Sequence, residues 1–223
     1  MSARDRILAR LRAAPVIAVA APAMSETSEC SEHAADSSVL VKRFADAMTA
    51  ARTEIHFTDD AAWPNLLLSL AKEKKVSSLL IGTGTAHGDR LTALHPDSPR
   101  LLNYARPVSA WKSELFDGVD AGFTSARGGI AETGSLVLWP DEREPRLMSL
   151  VPPIHFVLLD AATIQPDLQT VMATQGWGRG LPTNVLLISG PSKTADIQQT
   201  LAYGAHGPKE LIVLLVMPGL SQP

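Results

Sequence analysis

The feature that most constrains this chain is a set of short, unbroken apolar runs: VSSLLIG at 76–82, HFVLLD at 155–160, NVLLIS at 184–189 and ELIVLLV at 210–216. A strand with one wet face alternates apolar and polar residues. A run without alternation predicts burial on both faces, as in a covered parallel sheet. Between the runs the spacing changes to three and four. Leu40, Phe44, Ala47, Met48 and Ala51 predict one helix, and Leu66, Leu67, Leu70 and Ala71 predict another. The second ends in KEKK, where cations suit the C-terminal dipole. Strands alternating with helices give an α/β fold: an open, mostly parallel sheet with helices on both faces.

Weaker signals fill in the order. EIHF at 54–57 is a further strand, and residues 117–140 read as strand, short helix, turn, strand. PDEREP at 140–145 is a charged turn. Pro166 and Asp167 open a helix with Pro in its first turn and a core face of Ile164, Leu168, Val171 and Met172. Residues 89–116 supply apolar anchors, Leu91, Leu94, Leu101, Leu102, Tyr104 and Trp111, without a clear period.

Length and composition bound the rest. With 223 residues, a compact chain buries roughly 70% of its unfolded surface and needs no disulfide or metal for stability. There is one cysteine, Cys30, so neither an intramolecular disulfide nor an all-cysteine zinc or iron–sulfur site can form from this chain alone. A lone thiol suits a reducing compartment. The net charge of −3 argues against a general nucleic-acid binder. No run reaches the roughly 18 apolar residues of a membrane-spanning helix.

The basic, then apolar, N-terminus resembles an export signal, yet Ile7, Leu8 and Leu11 share one helical face ringed by Arg4, Arg6, Arg10 and Arg12. A short amphipathic helix is the competing reading. Residues 22–38 are rich in Ser, Glu and Ala and read as a linker holding Cys30. The expected organisation is therefore an N-terminal helix and flexible linker over 1–38 and a single α/β domain over 39–223.

Ligands of open α/β sheets sit at the carboxyl ends of the strands, and two loops with suitable composition are expected there. GTGTAHG at 82–88 follows a strand and offers Gly82 and Gly84 for close approach, with Thr83 and Thr85 as hydroxyls. Its Gly-Thr-Gly-Thr resembles the phosphate loop of ribose-phosphate isomerases; a tight turn is the plain alternative. ISGPSKTADIQQT at 188–200 reads as strand, turn and helix through Leu201, with Ser192 or Thr194 as N-cap, Asp196 in the first turn and Gly204 as the C′ residue. Such a helix start is an anion site with Lys193 beside it, or simply a well-capped helix. Charge–dipole attraction supplies only about 0.3–1 kcal/mol, against about 8 kcal/mol for micromolar binding, so the turn alone would orient an anion without holding it.

Other candidates are single residues. Glu132, before the Thr133-Gly134 turn, reads as a general base or nucleophile if buried, and as a solvated glutamate on a helix end otherwise. His206 reads as a loop histidine ordering the turn before the last strand. His155 begins a buried strand, where a satisfied core histidine outweighs a ligand. The six histidines show no metal spacing, and there is no G-x-S-x-G elbow.

Together, GIAETGSLVL (129–138), RLMSLVPPIHFVLL (146–159), ISGPSKTADIQQTL (188–201) and GAHGPKELIVLLV (204–216) resemble the lactate-utilisation protein C family, the LUD domain. RDRILARLRAA resembles the family's N-terminal helix. The family pattern covers Glu132, Thr133 and Gly134, then Arg146 and His155, then Ser189, Gly190, Pro191, Ser192 and Thr194 with Asp196, then His206, Gly207 and Pro208. Ser135 stands where the family often has Thr. The resemblance implies a fold related to ribose-5-phosphate isomerases and CoA transferases, and a bacterial cytoplasmic protein working beside iron–sulfur subunits that oxidise L-lactate to pyruvate. It also implies an accessory, non-redox subunit with no cofactor of its own; the charge and the lack of a long apolar run add the expectation of no nucleic-acid partner and no membrane. The alternative is an enzyme or binding protein for a phosphorylated or CoA-linked small molecule, with a phosphate- or carboxylate-bearing ligand at the shared motifs. CoA transferases use a glutamate nucleophile, which by analogy singles out Glu132.

Overall fold

The computed structural model describes residues 3–13, 36–94, 97–195 and 201–218. Cys30, Asp196 and almost all of the expected linker lie outside the described residues. Contacts divide the chain into Met1–Ala34 and Ala35–Pro223. Within the first unit, α1 (Ala3–Ala13) is helical, as its apolar spacing predicts.

In the second unit, α2 (Ser37–Ala50) starts on Asp36, whose carboxylate accepts the Ser38 N–H at 3.1 Å. Then follow β1 (Glu54–Thr58), α3 (Trp63–Glu73), β2 (Ser78–Ile81), α4 (Ala86–Ala93), β3 (Arg100–Asn103), α5 (Lys112–Asp117), β4 (Ala121–Ser125), β5 (Gly128–Ile130), β6 (Ser135–Leu138), α6 (Leu147–Leu150), β7 (Ile154–Asp160), β8 (Ile164–Gln165), α7 (Leu168–Thr174), β9 (Leu186–Ile188), β10 (Lys193–Ala195), β11 (Leu201–Tyr203) and β12 (Glu210–Val216).

Among the described residues, six strands form one parallel sheet in the order β1-β12-β7-β4-β2-β3. Its middle explains the apolar runs. Along β12, Ile212 and Leu214 face one way and Leu211, Val213 and Leu215 the other, and all five are buried. Phe156 of β7 joins the first set; Val157 and Leu159 join the second. The first face is covered by α3 and α4 through Trp63, Leu67, Leu70, Ala71 and Leu91. At β2, Leu80 points opposite to Leu79 and Ile81 and packs on Trp111 and Leu115 of the α5 region and Met148 of α6.

The second face differs from the expected helical cover. Over β7 and β12 the covering helix is α2, through Val41, Phe44 and Met48; beside it lies a second sheet, in the order β8-β5-β6-β9, contributing Leu136, Leu138 and Ile164, while α5 and α6 cover the β2 end. The expected short helix within 117–140 is β5, a Gly-Gly-Ile strand. Phe44 of α2 and Ile164 of β8 sit so close to Gly129 that a Cβ there would meet them at 3.0 and 3.1 Å. The run at 184–189 is likewise not a central parallel strand. It supplies β9, the outer antiparallel neighbour of β6, and Leu187 stays 48% exposed because the strand has only one covered face.

The helix expected through Leu201 neither begins nor ends as a helix: β10 and β11 pair antiparallel, Lys193 opposite Tyr203, and residues 196–200 lie outside the described residues. The reason lies in the backbone of Ser192, whose N–H donates to the Pro208 carbonyl at 2.8 Å while its own carbonyl accepts the Gly204 N–H at 2.9 Å. Both groups are committed to distant partners, and the chain continues extended. Gly204 does take a left-handed conformation, φ +78°, but at a turn after a strand. Finally, α7 is capped by Asp167 (Thr170 N–H to carboxylate, 2.7 Å), with Pro166 before the cap instead of in the first turn, and Met172 is exposed.

The two readings of burial separate in mutation. Leu214→Ala, in the doubly covered strand, is expected to cost about 2–5 kcal/mol. Leu187→Ala, on the outer strand, is expected to stay within about 0.5 kcal/mol. Urea denaturation of both variants checks this, and similar losses would contradict the placement of β9.

Candidate functional site

The motif loops meet at the amino-terminal edge of the parallel sheet, not at its carboxyl edge. Pro208 leads into β12, Leu211 is the second residue of that strand, and it pairs with His155, the second residue of β7. Around these starts lies a cavity of about 310 Å³ lined by Ser149, His155, Ser192, Lys193, His206 and Gly207, among others. The SGPS and HGP segments line its outer side. Besides the Ser192 backbone bonds, the His206 N–H donates to Ser192 Oγ at 3.3 Å. A Cβ on Gly207 would meet Ser192 Cβ at 3.3 Å, so the two loops pack at backbone distance.

The ETGS turn is connected to this edge but does not enter the cavity. Thr133 Oγ1 and Ser135 Oγ are 2.7 Å apart, and Ser135 Oγ and Ser189 Oγ are also 2.7 Å apart, forming a chain of hydroxyls from turn to loop. Gly134, φ +58°, presses on α2: a Cβ there would meet Ala47 Cβ at 2.6 Å and the Met48 nitrogen at 2.9 Å. Gly190, φ +153°, does the same against Ala51. Both glycines serve the docking of α2. Glu132 is exposed in the β5–β6 turn, held only by its backbone N–H to the Pro166 carbonyl, and is not among the residues around the cavity. Thr194 pairs in the hairpin opposite Ala202. Arg146, exposed just before α6, reaches Asn184 Oδ1 at 3.4 Å.

Among the described residues lining the cavity, His155 is the one fully buried titratable group. Its Nε2 lies 2.9 Å from Thr124 Oγ1, but Nδ1 has no partner, so the expectation of a satisfied core histidine is half met. Burial pushes its pKa down to about 3, so the ring is neutral at physiological pH. An unpaired buried polar atom costs about 1–3 kcal/mol. Next to the cavity, a shallower groove contains Glu54, Glu210 and Lys209. There Glu210 and Glu54, at 2.8 and 2.7 Å, hold the Lys74 ammonium up at about 12.

At the carboxyl edge, GTGT is occupied by protein. Thr85 caps α4, its Oγ1 accepting the Gly88 N–H at 3.2 Å. The charged turn folds over the loop: Thr83 N–H donates to the Arg143 carbonyl, and Glu144 Cγ would lie 2.9 Å from a Cβ on Gly82. Glu144 itself accepts from Ser125 Oγ at 2.9 Å and from the Ser125 N–H, and lies 2.7 Å from His87 Nε2. A carboxylate thus stands where the phosphate reading needs an anion. This Ser125–Glu144–His87 cluster was not signalled by sequence: His87 and Glu144 are 57 residues apart with no motif spacing between them. Beside it lies an open groove of about 690 Å³ with Thr83, Tyr104, Arg106 and Arg143. Among the described residues no group of three His, Cys, Asp or Glu side chains could hold a metal ion, and no helix is long and apolar enough to cross a membrane.

Comparison with known proteins places these elements in context. A family model described as the LUD domain matches residues 41–216. An uncharacterised protein of Neisseria meningitidis is 40% identical over all of this chain and 97% of its own length. Lactate utilization protein C 1 of Bacillus mycoides is 34% identical over 44% of this chain, and lactate utilization protein C of Macrococcus caseolyticus 31% identical over 46%. Those two matches span 43% and 46% of the relatives' lengths, less than half of each. A crystal structure of a DUF162 family protein from Deinococcus radiodurans shares the fold, with a TM-score of 0.60 and 20% identity over 81% of this chain and 98% of that one.

Two outcomes test the site's construction. Below pH 6.5 an unfolded His155 binds a proton that the folded protein refuses until about pH 3. Stability is therefore expected to fall on acidification through that window, by at most about 1.4 kcal/mol per pH unit. His155→Phe is expected to flatten that acid limb in urea titrations; an unchanged slope would refute the assignment. Gly134→Ala, strained in φ and crowded by Ala47, is expected to cost at least about 1 kcal/mol, read from the same titrations at neutral pH.

Proposed function

The chain belongs to the LUD domain family, and on that footing we propose that it is an accessory, non-redox subunit of a bacterial lactate-oxidising system, working in the cytoplasm beside iron–sulfur partner proteins. The observation that carries this reading is a conjunction. Relatives named lactate utilization protein C align at 31–34% identity, while this chain's single cysteine cannot build a thiolate-ligated cluster alone. Electrons leaving lactate would then pass through a partner.

The alternative, a protein for phosphorylated or CoA-linked molecules, loses its main structural support. The Thr85 hydroxyl is used in a cap and Glu144 faces Gly82, so GTGT offers no anion cradle. No helix begins at Ser192 or Thr194 to add a dipole. A cavity of about 310 Å³ lies at the low end for ligand sites and is small for a coenzyme thioester. What remains of this alternative is a pocket for a small acid, compatible with the accessory role.

The test is assembly and growth. The tagged chain, expressed from its native locus, is expected to co-purify with iron–sulfur proteins, and its deletion to slow growth on L-lactate but not on glucose. Recovery of the chain alone, together with unchanged growth on lactate, would overturn the reading.

A further inference from the structure

The end strand of a sheet presents a row of backbone groups ready to pair with another chain, and proteins guard such edges with charges or prolines. Of the four end strands of the two larger sheets, three carry a guard. β1 bears Glu54 and His56, with Lys74 paired to Glu54 at 2.7 Å. β3 begins on the exposed Arg100. β8 stops after two residues at Pro166. β9 has no such guard: it lies within NVLLIS, 184–189, which contains neither charge nor proline. Among the described residues β9 pairs only with β6, and none of residues 181–190 is buried, although every residue of β6 is. Its two faces differ. Leu186 and Ile188 pack inward on the cluster holding Leu136 and Leu138. Leu187, opposite Val137, faces outward; the cluster of Val137 and Val171 does not include it, and it stays 48% exposed.

We propose that β9 pairs antiparallel with β9 of a second copy of this chain, about a two-fold axis at Leu187, joining the two four-stranded sheets into one. The segment is complementary to itself. In that register Leu187 stands opposite Leu187 of the second copy, Leu186 opposite Ile188, and Val185 opposite Ser189. Directly opposed residues of antiparallel strands share a face. The two Leu187 side chains therefore cover each other on the outer face, and Leu186 and Ile188 extend the inner apolar face across the axis. Charge favours the same occupant. A strand without charged side chains meets its own copy with no like-charge contact, and it offers a foreign strand no charge pattern to recognise. A two-fold contact of this kind closes on itself and leaves no second edge exposed to a third chain. The proposal is independent of the lactate-utilisation reading, because it uses only the sheet edge.

The test is sedimentation of the purified full-length chain over a range of concentrations. A contact built on one short strand is small, so a reversible dimer with a dissociation constant on the order of 10–100 μM is expected. Leu187→Lys places at the axis the charge that guarded edges carry, and it is expected to dimerise at least about tenfold more weakly. At submicromolar concentration, where the copies are apart, its urea midpoint is expected to match that of the unaltered chain, which separates lost pairing from lost folding. A second pair of variants reads the register directly, in a Cys30→Ser background that removes the single cysteine. Opposed residues in an antiparallel pair lie about 4.5–5.5 Å apart, within disulfide reach. Leu187→Cys is therefore expected to form a disulfide-linked dimer on mild oxidation. Thr183→Cys, which this register sets opposite Pro191 of the second copy, is not. A chain that stays monomeric at about 1 mM, a dimer unaffected by Leu187→Lys, or cross-linking no faster at Leu187→Cys than at Thr183→Cys would each overturn the proposal.

Discussion

Two-sided burial of one strand pair governs this molecule. β12 and β7 pair along their full seven-residue lengths, and both faces of β12 are packed. Every other layer exists to keep water from them: α3 and α4 on one side, α2 and the second sheet on the other. Because hydrophobic burial scales with area removed from water, the sheet cannot be stable with one cover missing. This explains why ETGS and SGPS, which look like site motifs, spend their glycines on seating α2: without Gly134 and Gly190 the helix could not approach closely enough to shield Val157, Leu159, Val213 and Leu215.

The same constraint positions the pocket. A parallel strand entering a fully covered sheet must pass from loop to core within a residue or two. His155 and Leu211 stand at that boundary, directly paired. A histidine there is desolvated by the packing around it, yet backbone pairing already uses the groups that could have satisfied its ring. Thr124 on β4 serves one nitrogen. The other is left buried without a partner, beneath loops that converge because β12 and β7 start side by side.

Much of the scaffold was legible in the sequence. β2, β7 and β12 announce themselves because burial on both faces leaves three or more apolar residues side by side without alternation, and α2 and α3 because a helix on a sheet buries one stripe. β9 was misread for a definite reason. Its run of Val185, Leu186, Leu187 and Ile188 is as apolar as that of a central strand, but a strand's place in a sheet depends on what pairs with it, and among the described residues only β6 does. β5 was misread because Gly128 and Gly129 favour no strand; they are there since Phe44 and Ile164 leave no space for a side chain at Gly129. The motif segments of the candidate site were visible, and His155 with them. The edge they occupy was not, because it is decided by Ser192 bonding to Pro208, sixteen residues away along the chain. Glu132 stands out as a lone carboxylate in a turn, whereas Glu144, half-buried against Ser125 and His87, sits in a stretch that reads as solvated charge.

The two backbone bonds at Ser192 also have a mechanical meaning. They join the β10–β11 hairpin to the lead-in of β12 at a single residue, one bond going to Pro208 and one returning to Gly204. Ser192 is thus a hinge pin between the β10–β11 pair and the start of the most deeply buried strand. A shift of β10 is therefore carried through Ser192 to the lead-in of β12, so the two strands of the pair and the core strand move together or not at all.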